Sequence, residues 1–242
     1  MQAPGLRALT PAGDTQVVQP ADSIAAAVER AGPGSQIIVE PGEYRERLFL
    51  KNGIRLASRV PRAATIRLPS SASDADSMPA VVADGVSSAE FTGFRIVGDA
   101  ATSLGVGIGV TGGDLSVIDV EIVGATRAAV DFGEGSTATL LGSEIHDNPG
   151  AAMFIRAGAN PHITNNVFTR NGMSERAPGS FVVEPGGRPG FERNVFVGVS
   201  PDVFAVLDEA GRLAVNKLNW FLPLREPAPP RRSTGGGRED TP

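Results

Sequence analysis

The stretch ITNNVF, Ile163 to Phe168, decides the fold because it returns. It begins and ends apolar, five residues apart. FTGFRI (Phe91–Ile96), VIDVEI (Val117–Ile122), LLGSEI (Leu140–Ile145) and FERNVF (Phe191–Phe196) share that frame, and their final residues are spaced 26, 23, 23 and 28 apart. A Gly or Asn follows each, then a second apolar run: GVGIGV from Gly105, AAVDF from Ala128, AAMFI from Ala151, SFVV from Ser180 and VFAV from Val203. Gly and Asn interrupt every window of helical length, so the runs read as strands.

A period in the twenties built of short strands marks a solenoid. The dense Leu and Asn spacing of a leucine-rich repeat is absent. The fit that remains is an all-β, right-handed parallel β-helix of about seven coils, each stacked ~4.8 Å on the last. Ile96, Ile122, Ile145, Phe168 and Phe196 then form one inward column. Two residues earlier stand Phe94, Val120, Ser143, Asn166 and Asn194. Asn166 over Asn194 reads as a structural Asn ladder, since stacked amides satisfy one another. Asn148 and Asn171 form a candidate second pair.

Outward from the repeats, ADSIAAAVERAGPG predicts a short helix. Asp22 or Ser23 caps it, Ile24, Ala27, Val28 and Ala31 form one apolar face, and Gly32-Pro33 stop it. Placed before a strand run, it reads as a capping helix on the open end of the stack. IIVEPGEYRERLFL (Ile37–Leu50) is the first coil, with Pro41-Gly42 as its corner and Ile37, Val39, Leu48, Leu50, Ile54 and Leu56 inward. PSSASDADSMPA (Pro69–Ala80) reads as a solvated insertion rather than a cation site. LAVNKLNWFLPL, with the sole Trp220, reads as a C-terminal cap. The expected divisions are an N-terminal extension over 1–20, a β-helix domain over 21–225 and a disordered Pro/Gly-rich tail over 226–242.

SIAAAVERAGPGSQIIVEPGEYRERLFL resembles the N-terminal region of the pectin-lyase-like right-handed β-helix superfamily. PHITNNVFTRNG resembles the repeats of its carbohydrate-binding and sugar-hydrolase-type domains. The resemblance runs from about Asp22 to Val206 and implies fold, not activity, because the superfamily holds lyases, hydrolases, esterases, epimerases and binding modules. Gly42, Tyr44 and Glu46 match the corner of pectin methylesterases, whose Gln-Asp-Thr and Gly-Arg-Pro-Trp motifs are missing. The motifs of polygalacturonases and pectate lyases are missing too. Asn160-Pro161-His162 stands where alginate epimerases carry Asp-Pro-His. No catalytic residue is assigned.

One charged column remains. Arg95, Glu121 and Glu144 each precede an inward residue and so face outward on successive coils, with His146 just beyond the column. Stacked carboxylates shift each other's pKa and can hold Ca2+; alternatively the column is an Arg–Glu ladder on a solvated face. Arg95, Glu121, Glu144 and His146 are the candidate ligand-binding residues. No other metal or cofactor is implied.

With a net charge of −5, the chain presents no global basic field to nucleic acid or anionic lipid. It has no Cys, hence no disulfide framework. The start shows no charged-then-apolar run, which leaves a cytoplasmic chain and an exported fragment both open. The expected function is a module presenting a sheet face to an extended ligand, a polysaccharide, as an accessory part of a larger bacterial protein. The alternative is a carbohydrate-active lyase, hydrolase or epimerase.

Overall fold

A computed structural model describes residues 13–224; the tail expected to be disordered lies outside them. Three parallel sheets wind around one core. In stacking order, the first holds Thr15–Val18, Gln36–Val39, Arg55–Ser58, Glu90–Thr92, Ser116–Ile118, Thr139–Leu141, His162–Thr164 and Gly190–Glu192. The second holds Gly42–Arg45, Ala64–Arg67, Phe94–Val97, Glu121–Val123, Glu144–Asn148, Val167–Asn171, Val195–Val197 and Trp220–Leu222. The third holds Leu48–Phe49, Val81–Asp84, Val106–Thr111, Ala128–Phe132, Ala151–Ile155 and Phe181–Val183. This is the parallel β-helix the repeats predict.

The inward column is longer than the repeats alone suggested. Register partners run Tyr44, Ile66, Ile96, Ile122, Ile145, Phe168, Phe196, Phe221. Ile66 through Phe196 are fully buried, and each such side chain contributes ~2 kcal/mol by leaving water. Toward the C-terminal end the filling turns aromatic. Phe168 and Phe196 stack at 5.3 Å, Phe196 and Phe221 at 4.9 Å, and Phe181 meets Phe168 edge-on at 5.1 Å.

The amides close the corner between the first and second sheets. Asn166 Nδ2 donates to Asn194 Oδ1 at 3.0 Å, and Asn194 Nδ2 donates to Asn219 Oδ1 at 2.8 Å. Asn219 is a further rung that the sequence reading did not include. Ser143 continues the line: its N–H donates to Asn166 Oδ1 and its Oγ accepts from the Val120 N–H. At the next corner Asn148 Nδ2 donates to Asn171 Oδ1 at 2.8 Å. No buried side-chain nitrogen or oxygen is left unpartnered among the described residues.

Helix α1 (Ile24–Arg30) buries Ile24, Ala27 and Val28 and packs against the strand Leu48–Phe49. Ser23 caps it, accepting from the Ala26 N–H at 3.0 Å. Glu46 supports the same end, accepting from Ser23 Oγ and from the N–H groups of Ile24 and Ala25 at 2.7, 2.6 and 3.1 Å. A carboxylate there meets unsatisfied donors and the positive end of the helix. Tyr44 is buried and donates to the Glu40 carbonyl at 2.8 Å. The Gly-x-Tyr-x-Glu corner thus builds the first coil. The helix does not precede the whole stack: Thr15–Val18, inside the segment set apart as an extension, comes before it and pairs in parallel with Gln36–Val39. Buried Val18 lies opposite Val39, which ties this strand to the core.

At the other end one expectation fails. VFAV does not supply another strand. Pro201–Phe204 forms a 3₁₀ turn capped by Ser200, whose Oγ accepts from the Asp202 N–H at 3.2 Å. Pro201 has no N–H for a ladder and its fixed φ suits the start of a helical turn; Phe204 plugs the core instead. Helix α2 (Glu209–Leu218) follows and packs on Gly190–Glu192. No helix among the described residues is long and apolar enough to cross a membrane.

Candidate functional site

The charged column lies on the outer face of the second sheet. Thr65, Arg95, Glu121, Glu144, Val167, Val195 and Trp220 are successive register partners. Glu121 and Glu144 are neighbours one coil apart, yet their carboxylates turn to different partners. Arg95 Nε donates to Glu121 Oε1 at 3.0 Å, and His146 Nε2 lies 3.3 Å from the same oxygen. The other ring nitrogen, Nδ1, lies 2.7 Å from Asp147 Oδ2. Asp147 is in turn gripped by both Nε and Nη2 of Arg170. That grip, with the smaller contribution of His146, lowers the Asp147 pKa to about 2 against the pull of partial burial.

Glu144 is held by a residue the sequence reading did not consider. Arg62 Nη1 donates to Glu144 Oε2 at 2.8 Å and Arg62 Nε to Asp119 Oδ1 at 3.0 Å. Arg62, Gly93, Asp119 and Gly142 sit at the turns between the first and second sheets, each with positive φ. Arg62 reaches past the coil of Gly93 to Asp119 and, one coil further, to Glu144. The structure therefore joins Arg95, Glu121 and His146 in one cluster and draws Glu144 into another. His162 is exposed on the first sheet, opposite Thr139 and Gly190, away from both.

A different arrangement marks the outer face of the third sheet. The 69–80 insertion folds back onto it: the Gly105 N–H donates to the Ala75 carbonyl at 2.7 Å, and a Cβ on Gly109 would lie 2.4 Å from Pro79 Cγ. Arg47 anchors the insertion through two bonds to Asp74, at 3.0 and 2.9 Å, which lower the Asp74 pKa. Between insertion and sheet runs a groove of about 230 Å³, lined by Ser77, Pro79, Gly109, Arg127, Asp131 and Arg156. Arg156 makes two bonds to Asp131, at 3.0 and 2.8 Å, and one to Glu184 at 2.9 Å. Its guanidinium lies 4.8 Å from the ring centre of Phe154, and its pKa is raised by the Asp131 hydrogen bonds first. Glu184 is lowered by Arg156 and by the Ala157 N–H. Arg127 is exposed beside the groove, 3.4 Å from the carbonyls of Asp76 and Ser77.

The family model for the right handed beta helix region matches residues 79–212, more than half of the chain. The chain belongs to the right-handed β-helix family. Among solved structures, this β-helix is similar to a candidate glycosyl hydrolase from Parabacteroides merdae, at 15% identity and a TM-score of 0.56, over 75% of this chain and 96% of that one. It is also similar to a point variant of the PL6-family alginate lyase AlyGC, at 14% identity and a TM-score of 0.55, over 81% of this chain but only 34% of the other. At such identities the likeness concerns the fold alone. No curated protein sequence matches the chain.

Chemically, the two faces of the β-helix differ. On the second sheet each carboxylate of the column already has a cationic partner, and no cluster of three or more His, Asp and Glu able to hold a metal occurs among the described residues. On the third sheet the guanidinium groups of Arg127 and Arg156 and the hydroxyl of Ser77 border an open groove. The groove went unread because its parts come from the insertion and from three coils. The one local sign was Gly109 within an otherwise apolar strand, which signals close approach of another segment.

Proposed function

We propose that this β-helix binds an extended polysaccharide along the outer face of its third sheet. The observation that carries the reading is the groove walled by the 69–80 insertion, where exposed Arg127 and Ser77 stand beside the Arg156–Phe154 pair. Guanidinium and hydroxyl groups bond sugar hydroxyls or carboxylates, and a ring supports a sugar face. The coil repeat sets such groups at ~4.8 Å intervals along the axis, which suits a polymer lying lengthwise. A glycosyl hydrolase candidate and an alginate lyase among the fold neighbours accord with a saccharide ligand. The enzymatic alternative needs a free acid or base, whereas Asp131 and Glu184 are both engaged by Arg156.

The test is titration of the full chain with acidic and neutral polysaccharides, with product analysis of the same mixtures. Arg127→Ala should weaken binding at least ~10-fold while the far-ultraviolet spectrum stays unchanged. The double change Glu121→Gln, Glu144→Gln should leave binding intact. Loss of binding in the double variant alone would move the site to the second sheet, and shortening of the polymer would make the protein an enzyme.

A further inference from the structure

The three sheets end differently at the C-terminal end of the stack. Helix α2 packs on Gly190–Glu192, the last strand of the first sheet, and the 3₁₀ turn packs on Phe181–Val183, the last strand of the third. Among the described residues the last strand of the second sheet, Trp220–Leu222, pairs only with Val195–Val197 and carries no strand on its other edge. An open edge with unpaired N–H and C=O groups is a template for another strand. Its outward side chains are apolar: Trp220 is 55% exposed and Leu222 48%. They continue two outward rows, Val167–Val195–Trp220 and Thr169–Val197–Leu222. The face is thus apolar at this end, where its middle carries the Arg–Glu–His column.

We propose that this edge is a self-association surface, on which Trp220–Leu222 of two copies meet about a two-fold axis and join their second sheets. The choice of occupant follows from what each alternative would bring. Residues 225–242 contain no aromatic, Val, Ile or Leu residue and place prolines at 227, 229 and 230. Such a composition has no large apolar side chain to set against Trp220 and Leu222, and those three prolines remove ladder donors. A head-to-tail contact would bring the opposite edge of the second sheet, Gly42–Arg45, whose outward Glu43 and Arg45 are paired with each other, Glu43 also with Arg67. Setting those charges against Trp220 and Leu222 desolvates them without compensation. In a two-fold contact, Trp220 and Leu222 meet only their own kind, and a self-complementary patch closes at two copies.

Trp220 is the only Trp in the chain, so its emission reports on this edge alone. With the full chain, sedimentation should show the mass rising with concentration from one copy to two and stopping there. The Trp220 emission should move to shorter wavelength along the same curve. Leu222→Lys should weaken association ~30-fold or more, with the far-ultraviolet spectrum unchanged and the urea midpoint unchanged at concentrations where the parent is monomeric. A chain that stays monomeric overturns the proposal, as does growth beyond two copies. Doubling of mass without an emission shift overturns it by placing the interface elsewhere. An emission shift at constant mass, seen only on adding polysaccharide, overturns it in favour of a sugar platform.

Discussion

Asn194 is fully buried, and its amide makes four bonds. Its Oδ1 accepts from the N–H and the Nδ2 of Asn166, and its Nδ2 donates to the Ile163 carbonyl and to Asn219 Oδ1. Asn194→Ala leaves buried donors and acceptors on three coils without partners, each costing ~1–3 kcal/mol. We expect a loss of ~3 kcal/mol in urea unfolding at pH 7; a loss below ~1 kcal/mol would mean that water replaces the amide. Asp147 offers a test in pH. Its pKa of about 2 lies below the ordinary carboxylate value, so the ionised form is the one the fold favours. The stabilisation is complete above about pH 4 and disappears as pH falls through about 2. Because Asp147 is largely exposed, solvent screening limits it to at most ~1 kcal/mol. Asp147→Asn should therefore be slightly less stable than the parent at pH 7, with the gap narrowing in unfolding curves taken toward pH 2. Asn166 and Asn194 were legible because each stands two residues before the inward column. Asn219 was not, because a helix fills the interval before it and breaks the repeat.

At the scale of elements, the ends of helix α1 and the placement of the insertion matter most. Three donors converge on Glu46 at the helix start. Glu46→Ala should cost ~2 kcal/mol and loosen α1 first, read as faster amide exchange over Ile24–Arg30 than over the later coils. Equal exchange in parent and variant would show that burial of Ile24 and Val28 holds the helix by itself. The helix itself was legible from its Ser23 cap and apolar face. Its position after a strand was not, since four residues from Thr15 to Val18 carry too little alternation to announce a strand. The VFAV run shows the converse: apolar composition matched the repeat, and the Ser200-Pro201 start overruled it by favouring a helical turn.

For the whole molecule, the inward column carries the stability. Ile145 is fully buried between Ile122 and Phe168. Ile145→Asp places an unpaired charge there and should cost ~4 kcal/mol or more, whereas Ile145→Val should cost ~1 kcal/mol. Similar midpoints for the two variants in urea would contradict the column. The recurring apolar ends determined the column, its alternation determined that Glu121 and Glu144 face outward, and Gly and Asn marked the turns. These features repeat at a fixed offset and depend on backbone geometry that is the same in every coil, so one chain read against itself exposes them. Only the tertiary structure decided that Arg62 takes Glu144 from 82 residues away, that the 69–80 insertion walls a groove over Gly109, and that Trp220–Leu222 is the last strand of the second sheet among the described residues. Those outcomes rest on long side chains choosing among several nearby charges and on insertions that do not repeat, and neither leaves a periodic trace in the sequence.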